Sequence, residues 1–247
     1  MGNRFILIFI AMLATRITTQ AQSQADRILS DYSRINSVSC DIRKDTSTQE
    51  GEGRMLSRVI FEAPNRLLVE NSAPFKRKIL CDGRTFFYYA DEGGTAIQQP
   101  FNEIREDLSI QAQSIPASPM EHLLRLKGLP ETNIATTVQG SARFGYTASN
   151  LFAVISLDSS NRLAKIEFYN SSGMTNCYAS TEYTMFEQPV PGVWLSLRHE
   201  TEVTMQGKVK ARESRRFSNV KVDQTLQPDT FKSERVFPKT TFSTLPK

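Results

Sequence analysis

The chain has 247 residues, 39% of them hydrophobic and 23% charged, which allows a sizeable packed core and argues against wholesale disorder. Its formal charge of +4 is too mild to argue for a nucleic-acid partner, and no block of lysine and arginine stands out. Three cysteines (Cys40, Cys81, Cys177) and two histidines (His122, His199) fit no metal-ligand spacing, so no metal and no cofactor are expected.

Residues 1–21 have the pattern of a secretory signal peptide. Arg4 supplies the positive end, and residues 5–14 form an apolar run too short for a membrane span, which needs about 20 residues. Thr19-Gln20-Ala21 and Ser23-Gln24-Ala25 are small-x-Ala cleavage candidates, with a retained N-terminal anchor as the alternative. Losing Arg4 and Arg16 with the leader lowers the positive balance further. Residues 22–247 are then expected to form one exported domain. In an oxidising compartment an odd cysteine count leaves at least one thiol unpaired, and three buried free thiols acting as small hydrophobes is the favoured reading.

Residues 26–35 read as a helix, with Ile28, Tyr32 and Ile35 on one stripe. Val38, Cys40 and Ile42 then alternate with Ser39 and Asp41, the period of a half-buried strand. Residues 45–53 are polar and turn-like. Residues 54–62 form a second strand with Val59 and Phe61 on one face, and Ala63-Pro64-Asn65 leads out of it. Four short strands follow at 66–71, 78–81, 85–90 and 95–99, punctuated by Ser72-Ala73-Pro74, Asp82-Gly83 and Glu92-Gly93-Gly94. Within the third, Phe86-Phe87-Tyr88-Tyr89 sends aromatics to both faces. Such a strand needs cover on both sides, or one face opening onto something apolar.

After Pro100 the period becomes helical. Asn102 can cap a helix carrying Ile104 and Leu108, which Pro116 ends. Ser118-Pro119-Met120-Glu121 has the form of a capping box with proline at the first helical position. Met120, Leu123, Leu124 and Leu126 make that helix apolar, and Gly128 stops it. It is either a plug for one end of a barrel or a lid over an apolar cavity, and periodicity alone does not separate the two. From 134 to 222 the chain is strand and turn, with strands at 151–157, 163–169, 177–186, 193–205 and 208–222. Ala164, Ile166 and Phe168 share a face, as do Leu195, Leu197, Val203 and Met205. Strands this long with short turns predict an antiparallel meander that curls. Lys208, Lys210 and Arg212 read as a solvated face, and His199, between Arg198 and Glu200, as a surface side chain. Residues 226–231 and a polar tail finish the chain.

Catalytic motifs are missing: there is no G-x-S-x-G elbow, H-E-x-x-H pair, P-loop or dinucleotide-binding glycine pattern, and Asp82-Gly83 reads as a turn. A non-enzymatic protein is expected.

A helix ending in I-N-S-V-S-C-D-I, then F-E-A-P-N-R-L-L-V-E, then I-L-C-D-G-R-T-F-F-Y-Y, resembles the LolA-like outer-membrane lipoprotein carriers and sorting proteins. Ser118-Pro119-Met120 before Leu123-Leu124 is similar to their lid segment, and Gly192-Val193-Trp194-Leu195 and 226–231 to the longer sorting-protein branch. The resemblance covers about residues 28–231. It implies an α+β fold: an incomplete antiparallel β-barrel, or curled sheet, with a helical lid over a hydrophobic cavity. The implied cavity and lid residues are Val38, Cys40, Ile42, Val59, Phe61, Phe86, Tyr88, Leu108, Met120, Leu123, Leu124, Ile166, Phe168, Leu195 and Leu197. The implied role is a monomeric periplasmic carrier or binding protein for lipid or lipoprotein acyl chains, with inner- or outer-membrane transport partners. A non-enzymatic periplasmic sensor or scaffold on the same fold is the alternative, favoured by an interior filled with the protein's own side chains. Two features depart from the family. Ala63 stands where carriers place an arginine that latches the lid, and no cysteine lies at the predicted mature N-terminus for lipidation.

Overall fold

The computed structural model describes residues 22–135, 141–149 and 151–244. The signal-peptide segment lies outside the described residues. The described chain begins with helix α1 (Gln24–Tyr32), which starts two residues earlier than its apolar stripe predicts. Ser23 caps it, the Ser23 hydroxyl accepting from the Asp26 amide at 3.1 Å.

Six strands follow: β1 (Ser37–Thr48), β2 (Gly51–Glu62), β3 (Arg66–Ala73), β4 (Arg77–Asp82), β5 (Thr85–Ala90) and β6 (Thr95–Pro100). Each pairs antiparallel with the next. Asp82-Gly83 is the turn its sequence implies: the Asp82 carboxylate accepts from the amides of Arg84 and Thr85, and Gly83 takes φ +97°.

The middle of the chain is helical. Helix α2 (Glu106–Gln113) starts later than an Asn102 cap would place it, because residues 101–103 close a separate single turn. Helix α3 is shorter than its apolar run, only Met120–Leu123, and the capping box does not form. The Ser118 hydroxyl donates to the Ile115 carbonyl and accepts from the Met120 amide, while the Glu121 carboxylate turns to Arg215 at 3.0 Å. Isolated turns carry the chain on to Leu129 past Gly128 at φ +75°.

The second meander comprises β7 (Glu131–Ile134), β8 (Ala142–Ala148), β9 (Leu151–Leu157), β10 (Leu163–Tyr169), β11 (Cys177–Val190), β12 (Val193–Met205) and β13 (Lys208–Val222). The first two of these strands add to those read from the sequence. Helix α4 (Ser233–Val236) and β14 (Ser243–Thr244) end the described chain. The fourteen strands of the described residues form one sheet, ordered β14-β6-β5-β4-β3-β2-β1-β13-β12-β11-β10-β9-β8-β7. Pairing is antiparallel except where β14 joins β6. The seam is β1 against β13, where the last long strand returns to the first. The result is a large curled sheet that does not close, with helices on its concave face.

Period-two alternation decides what each face holds. On the concave face Val38, Cys40, Val59, Phe61, Leu67, Val69 and Cys81 form a core with Tyr32, Ile35, Ile115, Leu195 and Phe217. Farther along the same face Ile155, Leu157, Leu163, Ile166, Phe168 and Tyr183 pack around Leu123 and Leu126. Two anchors hold α1 over this second region. The Ala25 amide donates to the Tyr146 hydroxyl at 2.9 Å, and the Gln24 amide donates to the Glu131 carboxylate at 2.6 Å, an anion placed at a helix N-terminus.

The aromatic strand β5 is covered on both sides. Phe86 and Tyr88 share the concave face with Cys81 and Ile79. Phe87 and Tyr89 point to the convex face, where Leu68, Leu80, Phe231, Val236, Phe237 and Phe242 meet them. The tail is therefore not simply polar; it is a strap whose apolar residues shield the outer face of β3–β5.

Candidate functional site

The concave face is not filled evenly. Over β8–β11 the side chains of α1 and α3 occupy the space, and Leu123 and Leu126 are fully buried. Over β1–β3 and β13 a half-open cavity of about 250 Å³ remains beneath α2 and residues 114–118. Ile42, Met55, Val59, Leu67, Val69 and Phe217 supply its sheet wall, and Ile115, Pro116 and Ala117 its roof. Its volume is just under the ~300–1,000 Å³ usual for small-molecule sites. A larger groove of about 730 Å³ lies on the convex side beside the C-terminal strap, but charged residues such as Asp41, Arg58, Glu70, Lys78 and Lys221 line much of it. The concave cavity better matches a ligand that is mostly hydrocarbon.

One wall of that cavity is polar, and strand register explains why. Tyr183, His199, Arg215, Lys44 and Met55 stand opposite one another on β11, β12, β13, β1 and β2, forming a single row across the concave face. Arg215 lies between two carboxylates, 3.0 Å from Glu121 of α3 and 2.5 Å from Glu213. Lys44 pairs with the same Glu213. Burial disfavours the Arg215 cation, but Glu121 and Glu213 outweigh it and hold its pKa above the ordinary value. Burial likewise pushes the two carboxylates up, and the surrounding cations more than offset it, Arg215 foremost with Lys44 joining it at Glu213, so both end below the usual range.

Both histidines belong to this cluster. His122 Nδ1 is 2.6 Å from the Tyr183 hydroxyl, and burial pushes the His122 pKa down to about 4, with Arg215 and Arg125 adding to the shift and Glu121 opposing it. His199 is not a surface residue: it is 6% exposed, wedged edge-on to Tyr183 (ring centroids 4.8 Å apart) and against Phe217 (4.7 Å). Burial, then Arg215 and His122, hold it well below the ordinary histidine pKa, against a backbone hydrogen bond at Ser196. Both rings are therefore neutral at pH 7.

Of the residues that the family resemblance implicated, Ile42 and Val59 line the cavity. Val38, Cys40, Phe61 and Leu195 are packed in the neighbouring core, with Met120 and Leu197 partly buried against it. Phe86 is buried and Tyr88 half-buried farther along the same face; Leu108, on α2, is half-buried. Leu123, Ile166 and Phe168 lie in the second core, and Leu124 is half-buried. The cavity's other walls, notably Met55, Ser57, Val69, Ile115, His199 and Arg215, were not singled out by the sequence. Met55, Ser57 and Val59 do share the strand parity that would have placed them together.

Cys40, Cys81 and Cys177 are free. Burial, with Asp41 adding, pushes the Cys40 thiol up to about 12. No helix among the described residues is long and apolar enough to cross a membrane.

Comparison with solved structures identifies the class of fold. A LolA superfamily protein from Nitrosomonas europaea superposes with a TM-score of 0.57 at 15% identity, over 85% of this chain and 98% of that one. A candidate outer membrane lipoprotein-sorting protein domain from Vibrio parahaemolyticus gives 0.57 at 11%, over 85% and 97%. A DUF1329 family protein from Desulfovibrio piger gives 0.60 at 11%, over 86% and 95%. No protein-family model and no curated protein matches the sequence. What the chain shares with these structures is the LolA-like fold, an unclosed antiparallel sheet with helices against its concave face.

Proposed function

We propose that the chain is an exported, periplasmic binding or carrier protein for the acyl chains of lipids or lipoproteins. The observation that carries this reading is the half-open cavity on the concave face, walled by Ile42, Val59, Val69 and Phe217 and roofed by Ile115–Ala117 side chains. Burying hydrocarbon there gains about 0.8 kcal/mol per CH₂, so an acyl chain binds without polar chemistry along its length. The cavity holds only part of a long chain as it stands. Room for more lies under α2 and residues 114–118, because α1 and α3 are fixed by the second core. The V. parahaemolyticus structure, described as a lipoprotein-sorting domain, supports this reading by fold. Native mass spectrometry of protein purified from the periplasm tests it: co-purified lipid is expected, and N-terminal sequencing is expected to begin at Gln22, since a start at Asp26 would remove the Ser23 cap and the Gln24 and Ala25 anchors of α1. A second reading, a sensor or scaffold without cargo, is favoured by the filled half of the concave face around Leu123 and Leu126. Protein that arrives lipid-free and takes up no added lipid would establish that reading instead.

A further inference from the structure

We propose that the concave cavity selects amphiphiles with an uncharged, hydroxyl-bearing head, and that His199 Nε2 is the atom that recognises it. This deepens the acyl-chain reading above and rests on it. His199 lines the cavity, and its Nε2 finds no hydrogen-bond partner among the protein's own groups. It is the only buried side-chain nitrogen or oxygen so placed among the described residues. A buried polar atom without a partner costs about 1–3 kcal/mol, so a ligand group that satisfies it gains correspondingly.

The surrounding charges say what kind of group that is. Arg215 is held by Glu121 and Glu213, and Lys44 by Glu213, so the two cations and two carboxylates of this wall already match one another. The cavity lining itself carries Lys44, Glu121, Arg215 and one more charge, Asp107, which is paired with Arg105. An anionic head entering here meets carboxylates and finds no uncommitted cation, and burying it unpaired is costly. A hydroxyl carries no such penalty. It both donates and accepts, so it suits Nε2 in either neutral tautomer, whereas a carboxylate can only accept. The apolar wall beginning at Ile42 and Phe217, one register step from Lys44 and Arg215, then takes the hydrocarbon.

Three probes sharing one chain length test this: 1-monomyristoylglycerol, methyl myristate and myristate, each displacing the neutral dye N-phenyl-1-naphthylamine from the protein at pH 7. The monoacylglycerol is expected to displace the dye at about tenfold lower concentration than either of the others, the value of one satisfied buried group. In His199→Phe that advantage is expected to vanish while displacement by methyl myristate persists. Because a core substitution can unfold the chain, nitrogen-15 spectra of the unmodified protein give an independent readout, there being only two histidines to resolve. The His199 Nε2 resonance is expected to move with the monoacylglycerol and stay put with the methyl ester. Equal binding of all three probes, tighter binding of myristate, or an unmoved Nε2 resonance overturns the head-group assignment and leaves the acyl-chain reading standing. Failure of all three to bind overturns both.

Discussion

Leu123→Ala distinguishes a helix that holds the fold from one that swings over a ligand. Leu123 has no exposed surface and is packed among Tyr146, Ile155, Leu163, Ile166, Phe168 and Tyr183. Truncating a fully buried leucine costs about 2–5 kcal/mol, the upper part of the range applying where the neighbours cannot collapse into the space. Here they are tied down: Tyr146 accepts from Ala25, and Tyr183 is hydrogen-bonded to His122. A cost of about 3 kcal/mol corresponds to a fall in Tm of roughly 6–12 °C for a chain of this size. Leu123→Asp loses more, because it leaves a charge with no partner in that core. Met55→Ala provides the contrast. Met55 is half-buried on the cavity wall, so it is expected to cost about 1 kcal/mol in stability while weakening lipid binding. Thermal melts by circular dichroism and displacement of N-phenyl-1-naphthylamine, measured on the same preparations, separate the two. If Leu123→Ala melts within about 2 °C of the parent yet loses binding, α3 is a moving cover and the assignment of this half of the face to core is refuted.

Stability should also follow pH through the histidines. His122 has its folded pKa lowered to about 4, so between there and 6.5 the unfolded chain binds a proton that the folded chain does not, and Tm is expected to fall as pH drops across that window. His122→Gln should flatten the slope, and an unchanged slope would remove His122 as its source. From about pH 4.5 downward the depressed Glu121 and Glu213 act in the same direction, losing their stabilising contribution as pH falls through their folded pKa. Thiol labelling is expected to find three free cysteines in denaturant, with Cys177 reacting first in the folded protein because Cys40 and Cys81 are buried; a disulfide in the purified chain would contradict this. Phe237→Ala should cost about 3–5 kcal/mol while leaving ligand binding intact, since Phe237 packs on Phe87 and Phe242 across the sheet from the cavity; an unchanged melt would mean that the strap is not part of the fold.

The strands were legible because their signal is local. Alternation in 38–42 and 54–62, and turns such as Asp82-Gly83, each need only a handful of adjacent residues, and the sheet keeps them, but most of the polar segment 45–53 is not a turn: β1 and β2 run on through it as paired strands to Thr48 and from Gly51. The middle helices were less so. Ser118 to Glu121 satisfies the local rule for a capping box, but a charged partner ninety-four residues away in sequence, Arg215, takes the glutamate. The strap failed for a similar reason. Val236, Phe237 and Phe242 have no useful period of their own, and only the convex-face side chains of Leu68, Leu80 and Phe87, which they bury, give them a place to go.

His199 shows where the limit lies. Charged neighbours on either side made it look like surface, yet it shares parity with Leu195 and Leu197, which are core-facing. Parity alone thus placed it on the concave face. What parity could not supply was register: that Tyr183, Arg215 and Lys44 stand in the same row, that Glu121 descends from α3 to meet Arg215, and that the charged groups neutralise one another while the imidazole keeps a buried nitrogen without a partner. In a sheet of this kind the apolar face is written into each strand separately, but its polar features exist only once five strands are aligned. On the reading proposed above, one substitution in the Tyr183–His199–Arg215–Lys44 row is expected to change which head groups this cavity accepts without changing the apolar pattern of the strand that carries it.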